Sequence, residues 1–275
     1  MFENQPKGLW ALALANTGER FGYYTMLAVF LLYLQANFGF ETGLASTIYS
    51  TFLMMVYFLP IIGDKFGFGR MVTTGIFIMF IGYLVLSLPL GKDTVAVAAM
   101  GISLILIALG TGLFKGNLQV MVGRLYDEAQ FANKRDSGFS LFYMAINIGA
   151  MFAPTAAIKI MKWAQDSLSV SVEDSYHFAF AVACASLIVS IAIYYAFSFT
   201  YKHVLASENK NKDDKAPVKE ANELSKAETK ERIVCLCLVF AVVIFFWMAF
   251  HQNGNTLTLF ARDYTQKTSE GLQSM

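Results

Sequence analysis

The chain has 275 residues, 56% of them hydrophobic and 15% charged, with a formal net charge of +1. A soluble domain normally carries about 25% charged residues, so a water-exposed globule is excluded, and the near-neutral balance says nothing in favour of nucleic-acid binding. The apolar residues fall in runs of about 20, the length at which a helix crosses the hydrocarbon core while satisfying its own backbone hydrogen bonds. The fold class expected is therefore an all-α membrane protein. Cys184, Cys235 and Cys237 lie inside apolar runs, with no disulfide or metal spacing, and read as packing residues. The first apolar stretch is too long for a cleavable leader and contains Glu19 and Arg20, so it is expected to remain as a first spanning helix.

Seven spans are predicted, near residues 9–35, 43–63, 70–91, 94–123, 138–163, 177–201 and 232–261. The first carries Asn16, Glu19 and Arg20, followed by Tyr23 and Tyr24. Asn16, Arg20 and Tyr24 are spaced i, i+4, i+8, with Glu19 and Tyr23 beside them on the same side of the helix. The second is nearly clean; Pro60 near its end is a kink site, followed by a Gly63-Asp64-Lys65 turn. The third is also clean. The fourth holds Lys115 and Asn117 among Gly110, Gly112 and Gly116, small residues that favour close helix packing. The fifth has Tyr143 and Asn147 at i, i+4, then Gly149 and Pro154; a lone asparagine there reads first as interhelical glue. The sixth is nearly clean. Residues 202–231 are rich in Lys, Glu and Asn, include Pro217, and read as a solvated linker. The seventh span holds His251, Gln252, Asn253 and Asn255 and no lysine between Ile233 and Ala261, which excludes a retinal Schiff base. Most lysines and arginines outside the spans fall on the side of the N-terminus, so that side is expected to be cytoplasmic.

A charge at mid-membrane costs about 2.5–3.5 kcal/mol on insertion scales and usually lines a cavity or finds a partner. Glu19 and Arg20 could simply pair and fix packing. Lys115 weakens that reading, because one carboxylate cannot neutralise two cations. Polar residues recur in every third span, the pattern of nested three-helix repeats used by major facilitator transporters. On that plan residues 1–201 form an N-terminal six-helix bundle and 202–231 a cytoplasmic linker. Residues 232–275 then hold the first helix of a second bundle, and a fragment of a longer chain is expected.

Three segments carry a closer likeness. Asn16-Thr17-Gly18-Glu19-Arg20-Phe21-Gly22-Tyr23-Tyr24, Gly112-Leu113-Phe114-Lys115-Gly116-Asn117 and Phe142-Tyr143-Met144-Ala145-Ile146-Asn147-Ile148-Gly149 stand in order on the first, fourth and fifth spans. They resemble E-x-x-E-R-F-x-Y-Y, G-x-F-K-P-N and F-Y-x-x-I-N-x-G of the proton-dependent oligopeptide transporters. The departures are Asn16 for the first Glu, Gly116 for Pro, and His251 before Gln252 where many members have Glu.

The resemblance implies proton-coupled import of di- and tripeptides across the cytoplasmic (inner) membrane by alternating access. It implies substrate contacts from Arg20, Tyr23, Tyr24, Tyr57, Lys115 and Asn147, and proton handling by Glu19 and His251. The partners implied are a small peptide, protons and the lipid bilayer, with no nucleic acid, no cofactor and no metal; a full-length member is expected to be a monomer. Transport of another small anion (nitrate or a carboxylate) and a non-transporting membrane fragment or sensor are the alternatives. An enzyme is not expected, since no nucleophile–base constellation or phosphate loop is present.

Overall fold

Capping chemistry sets several of the helix ends in the computed structural model, which describes residues 2–58, 67–205 and 226–265. Helix α1 (Lys7–Phe38) follows Pro6 and stops at Gly39, whose φ of 66° lets its N–H turn back to the carbonyls of Leu34 and Gln35. Helices α2 (Thr42–Phe58) and α3 (Phe68–Leu86) follow. Helix α4 (Thr94–Arg124) is capped by Asp93, which accepts from the Ala96 amide. Helix α5 (Arg135–Leu168) runs through Pro154 without a break in its helical assignment and ends at Ser169 in the left-handed region. Helix α6 (Val172–Ala196) is capped by Ser171, with Glu173 and Asp174 in its first turn.

By length and composition, α3, α4, α6 and the stretches Ala132–Leu168 and Glu228–Tyr264 can each cross a membrane. Helix α1 has 32 residues, but its polar residues and tyrosines dilute its hydropathy. The expected kink at Pro60, the Gly63-Asp64-Lys65 turn, Pro217 and most of the linker lie outside the described residues.

Helix α1 is the hub of the bundle. Gly18 and Gly22 let it approach α6, where an added Cβ would meet the Ser186 carbonyl at 3.2 Å and the Ala183 carbonyl at 2.9 Å. The Ser190 hydroxyl of α6 donates to the Ala15 carbonyl. On another side, Thr17 donates to the Ala145 carbonyl of α5 at 3.1 Å, beside Gly149. Helices α3 and α4 close on each other through Gly75, Gly82 and Gly110. Without a hydrophobic drive between helices in lipid, such close backbone approach supplies much of the packing.

The end where α1 begins is clasped by polar contacts. Tyr126 donates to Gln5 Oε1 at 2.6 Å, and Lys134 to the Glu3 carbonyl at 3.0 Å. Burial pushes the Tyr126 phenol up to about 12, so it remains a donor throughout the ordinary pH range. At the opposite end the buried His177 ring meets the Leu86 carbonyl at 3.0 Å and packs edge-on against Tyr33. The sixth span is therefore less clean than expected: His177 and Ser190 are buried in it.

The bundle also runs past the expected boundary at 201. Tyr201 and Val204 are buried, and the Tyr201 hydroxyl donates to the Tyr194 carbonyl. Their apolar bodies find cover that a solvated linker would not provide.

The remaining described residues belong to a second compact unit, Glu208–Lys267. Its helix α7 (Lys226–Phe250) begins before the expected span and ends at the polar cluster. A tight turn, His251–Gly254, follows, and then α8 (Thr256–Tyr264). The expected single helix to residue 261 is thus broken. Asn253, Gly254 and Asn255 are weak helix formers, and Asn255 has left helical geometry with φ −118° and ψ −89°. Cys184 is buried as expected, whereas Cys235 and Cys237 are exposed on α7.

Candidate functional site

About two consecutive turns of α1 carry the polar residues inward. Asn16, Glu19, Arg20 and Tyr23 are all buried, and Glu19 is fully so. Arg20 reaches around the helix and donates from Nε and Nη2 to the two carboxylate oxygens of Glu19. The bidentate geometry suits a planar guanidinium. Removing two ions from water is costly, and only such full pairing offsets it. The guanidinium also lies 4.8 Å from the centre of the Tyr23 ring. Tyr23 and Tyr24 meet edge to face at 5.4 Å, and Phe52 of α2 stacks on Tyr23 at 6.3 Å.

Helix α4 brings in the second cation. The half-buried Lys115 ammonium stands 5.2 Å from the centre of the Tyr57 ring of α2. It makes no ion pair with any of the described residues, yet lies within electrostatic reach of Arg20 and Glu19. Tyr57 is 51% exposed, so the ammonium and its aromatic neighbour stand at an accessible edge of the cluster, while Glu19 lies at its floor. Glu19, Arg20 and Lys115 together leave one positive charge in excess. Of the glycines around Lys115, Gly116 has open space where a Cβ would go, whereas Gly110 is pressed against α3. Close packing, expected of all three, holds for Gly110 and not for Gly116.

The structure therefore brings together Glu19, Arg20, Tyr23, Tyr24, Tyr57 and Lys115. Asn147 stands apart from their contacts. It is exposed on α5 and its amide donates to the Tyr143 carbonyl one turn back, at 3.0 Å. An asparagine bonded within its own helix is not interhelical glue, which corrects that expectation. Tyr143 itself accepts from Gln119 of α4 at 3.2 Å. His251 belongs to the second unit, where its ring stacks on Trp247 at 5.5 Å.

One residue was missed. Tyr83 of α3 is fully buried, and its hydroxyl is left without a hydrogen-bond partner among the described residues. Glu19, Arg20 and Tyr23 lie within its electrostatic reach. A single tyrosine in an otherwise apolar span was the available signal.

Known proteins resemble this chain in sequence and fold. Residues 70–218, more than half of the chain, match the POT family. An "Uncharacterized transporter YclF" of Bacillus subtilis (strain 168) is 42% identical over 164 residues, which cover 56% of this chain and 32% of that protein. A "Di-/tripeptide transporter" of Lactococcus lactis subsp. lactis (strain IL1403) is 35% identical over 165 residues, with the same coverage of 56% and 32%. The crystal structure of a peptide transporter POT in complex with sulfate superposes with a TM-score of 0.63 at 28% identity, covering 95% of this chain and 50% of that one. The chain thus spans about half of that structure, and its alignments about a third of the curated relatives.

Proposed function

We propose, for a chain that belongs to the POT family, proton-coupled import of di- and tripeptides by alternating access across the cytoplasmic (inner) membrane. The fold is that of the N-terminal six-helix bundle of a major facilitator peptide transporter, followed by the first helix of a second bundle. The observation that carries the reading is the unequal pairing at the site. Glu19 is held by Arg20, while Lys115 is left with an aromatic ring at the accessible edge. An incoming carboxylate meets a point charge first and a bidentate fork behind it.

In this reading the peptide carboxylate binds Lys115 and then draws Arg20 from Glu19. The freed Glu19, which is fully buried, takes up a proton, because an unpaired buried carboxylate is far costlier than a neutral acid. Tyr23, Tyr24 and Tyr57 line the peptide, and Asn147 offers its amide from the exposed face of α5. The second bundle, which α7 would open, supplies the carboxylate for the peptide amine. His251 stands where many relatives have Glu and gives that bundle a group that can take up and release a proton. The N-terminus faces the cytoplasm, residues 202–231 link the bundles, and the full-length protein acts as a monomer.

A small inorganic or organic anion is a second reading, since Arg20 and Lys115 demand only negative charge. Uptake of a labelled dipeptide into proteoliposomes, with and without an inward proton gradient, tests both. It uses this chain and a version extended by a second bundle. Gradient-driven uptake that is lost on Arg20→Ala or Lys115→Ala, and is competed by dipeptides but not nitrate, is the expected result. No uptake by either form, in sealed vesicles holding folded protein, removes the peptide assignment.

A further inference from the structure

Two pairs of side chains are joined between α4 and α5. Lys115 and Gln119 stand one turn apart on α4, and Tyr143 and Asn147 one turn apart on α5. Residues at that spacing share a helix face, with Cβ atoms about 5–6 Å apart. The bond that joins the pairs runs from Gln119 Nε2 to the Tyr143 hydroxyl at 3.2 Å. All four residues are half-buried or exposed. As a strut between helices such a bond is weak, because water replaces a neutral, accessible hydrogen bond readily. It does more for the amide itself. An amide is planar, so one whose nitrogen is held by Tyr143 turns its oxygen elsewhere. Gln119 Oε1 accepts no hydrogen bond from the described residues. The result is an accessible acceptor, fixed in orientation, one turn from the Lys115 ammonium.

We propose that Gln119 is a further substrate-binding residue, one that distinguishes a peptide from a plain anion: with the substrate carboxylate on Lys115, Gln119 Oε1 accepts the peptide N–H of the same C-terminal residue. Tyr143 is the positioning residue that holds the amide for it. The inference rests on the reading of Lys115 as the carboxylate site and deepens it. A cation and an acceptor side by side match one edge of an extended amino-acid residue, whose N–H and carbonyl oxygen point the same way. Nitrate has no hydrogen to offer there, and a carboxylic acid without an amide has none at that position. Lys115 and Arg20 supply attraction for any anion. Gln119 adds a contact that only a ligand with a donor next to its carboxylate can complete.

The test is calorimetric binding of two compounds to the 275-residue chain in lipid nanodiscs. One is alanyl-alanine; the other is alanyl-lactate, its ester analogue, in which an oxygen replaces the peptide N–H. The unmodified chain is expected to bind alanyl-alanine about fivefold more tightly, the scale of one neutral hydrogen bond. Gln119→Leu should abolish that preference by weakening alanyl-alanine alone, whereas Lys115→Ala should weaken both compounds. A preference that persists undiminished in Gln119→Leu, or is absent from the unmodified chain, overturns the role of Gln119. Loss of both compounds in Lys115→Ala then leaves the carboxylate reading standing. Binding of neither compound to the unmodified chain overturns both. Should Gln119→Leu not fold, Tyr143→Phe decides, since it keeps the amide and removes its anchor. A narrowed preference in that variant supports the proposal, and an unchanged one overturns it.

Discussion

Gly110→Ala adds one methyl group at the α3–α4 contact. Its Cβ would lie 2.5 Å from the Gly75 carbonyl, 2.5 Å from Met79 Cγ and 2.7 Å from the Met79 amide nitrogen. Ordinary contact begins near 3.4 Å, leaving a shortfall of about 0.9 Å. Two of the three atoms are backbone and cannot rotate away, so α3 must shift off α4 along the helix pair. Overpacking of this kind costs about 1–3 kcal/mol, and the backbone clash places it near the upper figure. On the scaling of soluble domains of similar size, about 3 kcal/mol lowers the melting temperature by roughly 6–12 °C. Gly116→Ala, two turns along the same helix with open space at its Cβ, is expected to leave stability unchanged or raise it by about 0.4–1 kcal/mol. Both are read from thermal melting of the purified chain in detergent, with tryptophan fluorescence as the signal. A Gly110→Ala chain that melts with the unmodified protein, or a Gly116→Ala chain that loses as much, refutes the reasoning.

Three further outcomes are expected. Glu19→Ala strands the buried Arg20 and costs about 3–5 kcal/mol; replacing the pair together with Gln and Met recovers much of the loss, as a double-mutant cycle in melting temperature would measure. His177→Phe keeps the ring contacts with Tyr33 and Phe180 but leaves the Leu86 carbonyl without its side-chain donor, a loss of about 1–3 kcal/mol, again visible in melting. Gln5→Ala removes the acceptor of Tyr126, and Gly138→Ala would drive a Cβ to 1.8 Å from the Tyr126 hydroxyl oxygen. Both should release the segment before Lys7 sooner under limited proteolysis, Gly138→Ala more strongly.

Much of this protein was legible without coordinates. Runs of about 20 apolar residues identify spanning helices because lipid offers no partner for an open backbone. The rare charges Glu19, Arg20 and Lys115 single out the candidate site because their insertion is costly. Helix periodicity put Asn16, Arg20 and Tyr24 on one face with Glu19 and Tyr23 beside them. Those are properties of single helices, and a linear string carries them in full. What it could not carry is anything decided between helices. Gly110 and Gly116 have the same side chain in the same motif, yet one bears on α3 and the other on open space; only the neighbouring backbone distinguishes them. Asn147 was legible as polar but not as bonded to its own helix. His177 lay at the edge of a predicted span and became buried because α3 ends opposite it. The break at His251–Gly254 was visible as a polar cluster, but whether a helix runs through such a cluster depends on what surrounds its backbone. Tyr83 was an unremarked tyrosine in an apolar span. Its interest comes from a fully buried hydroxyl with no hydrogen-bond partner among the described residues, a burial decided by how closely α3 and α4 pack.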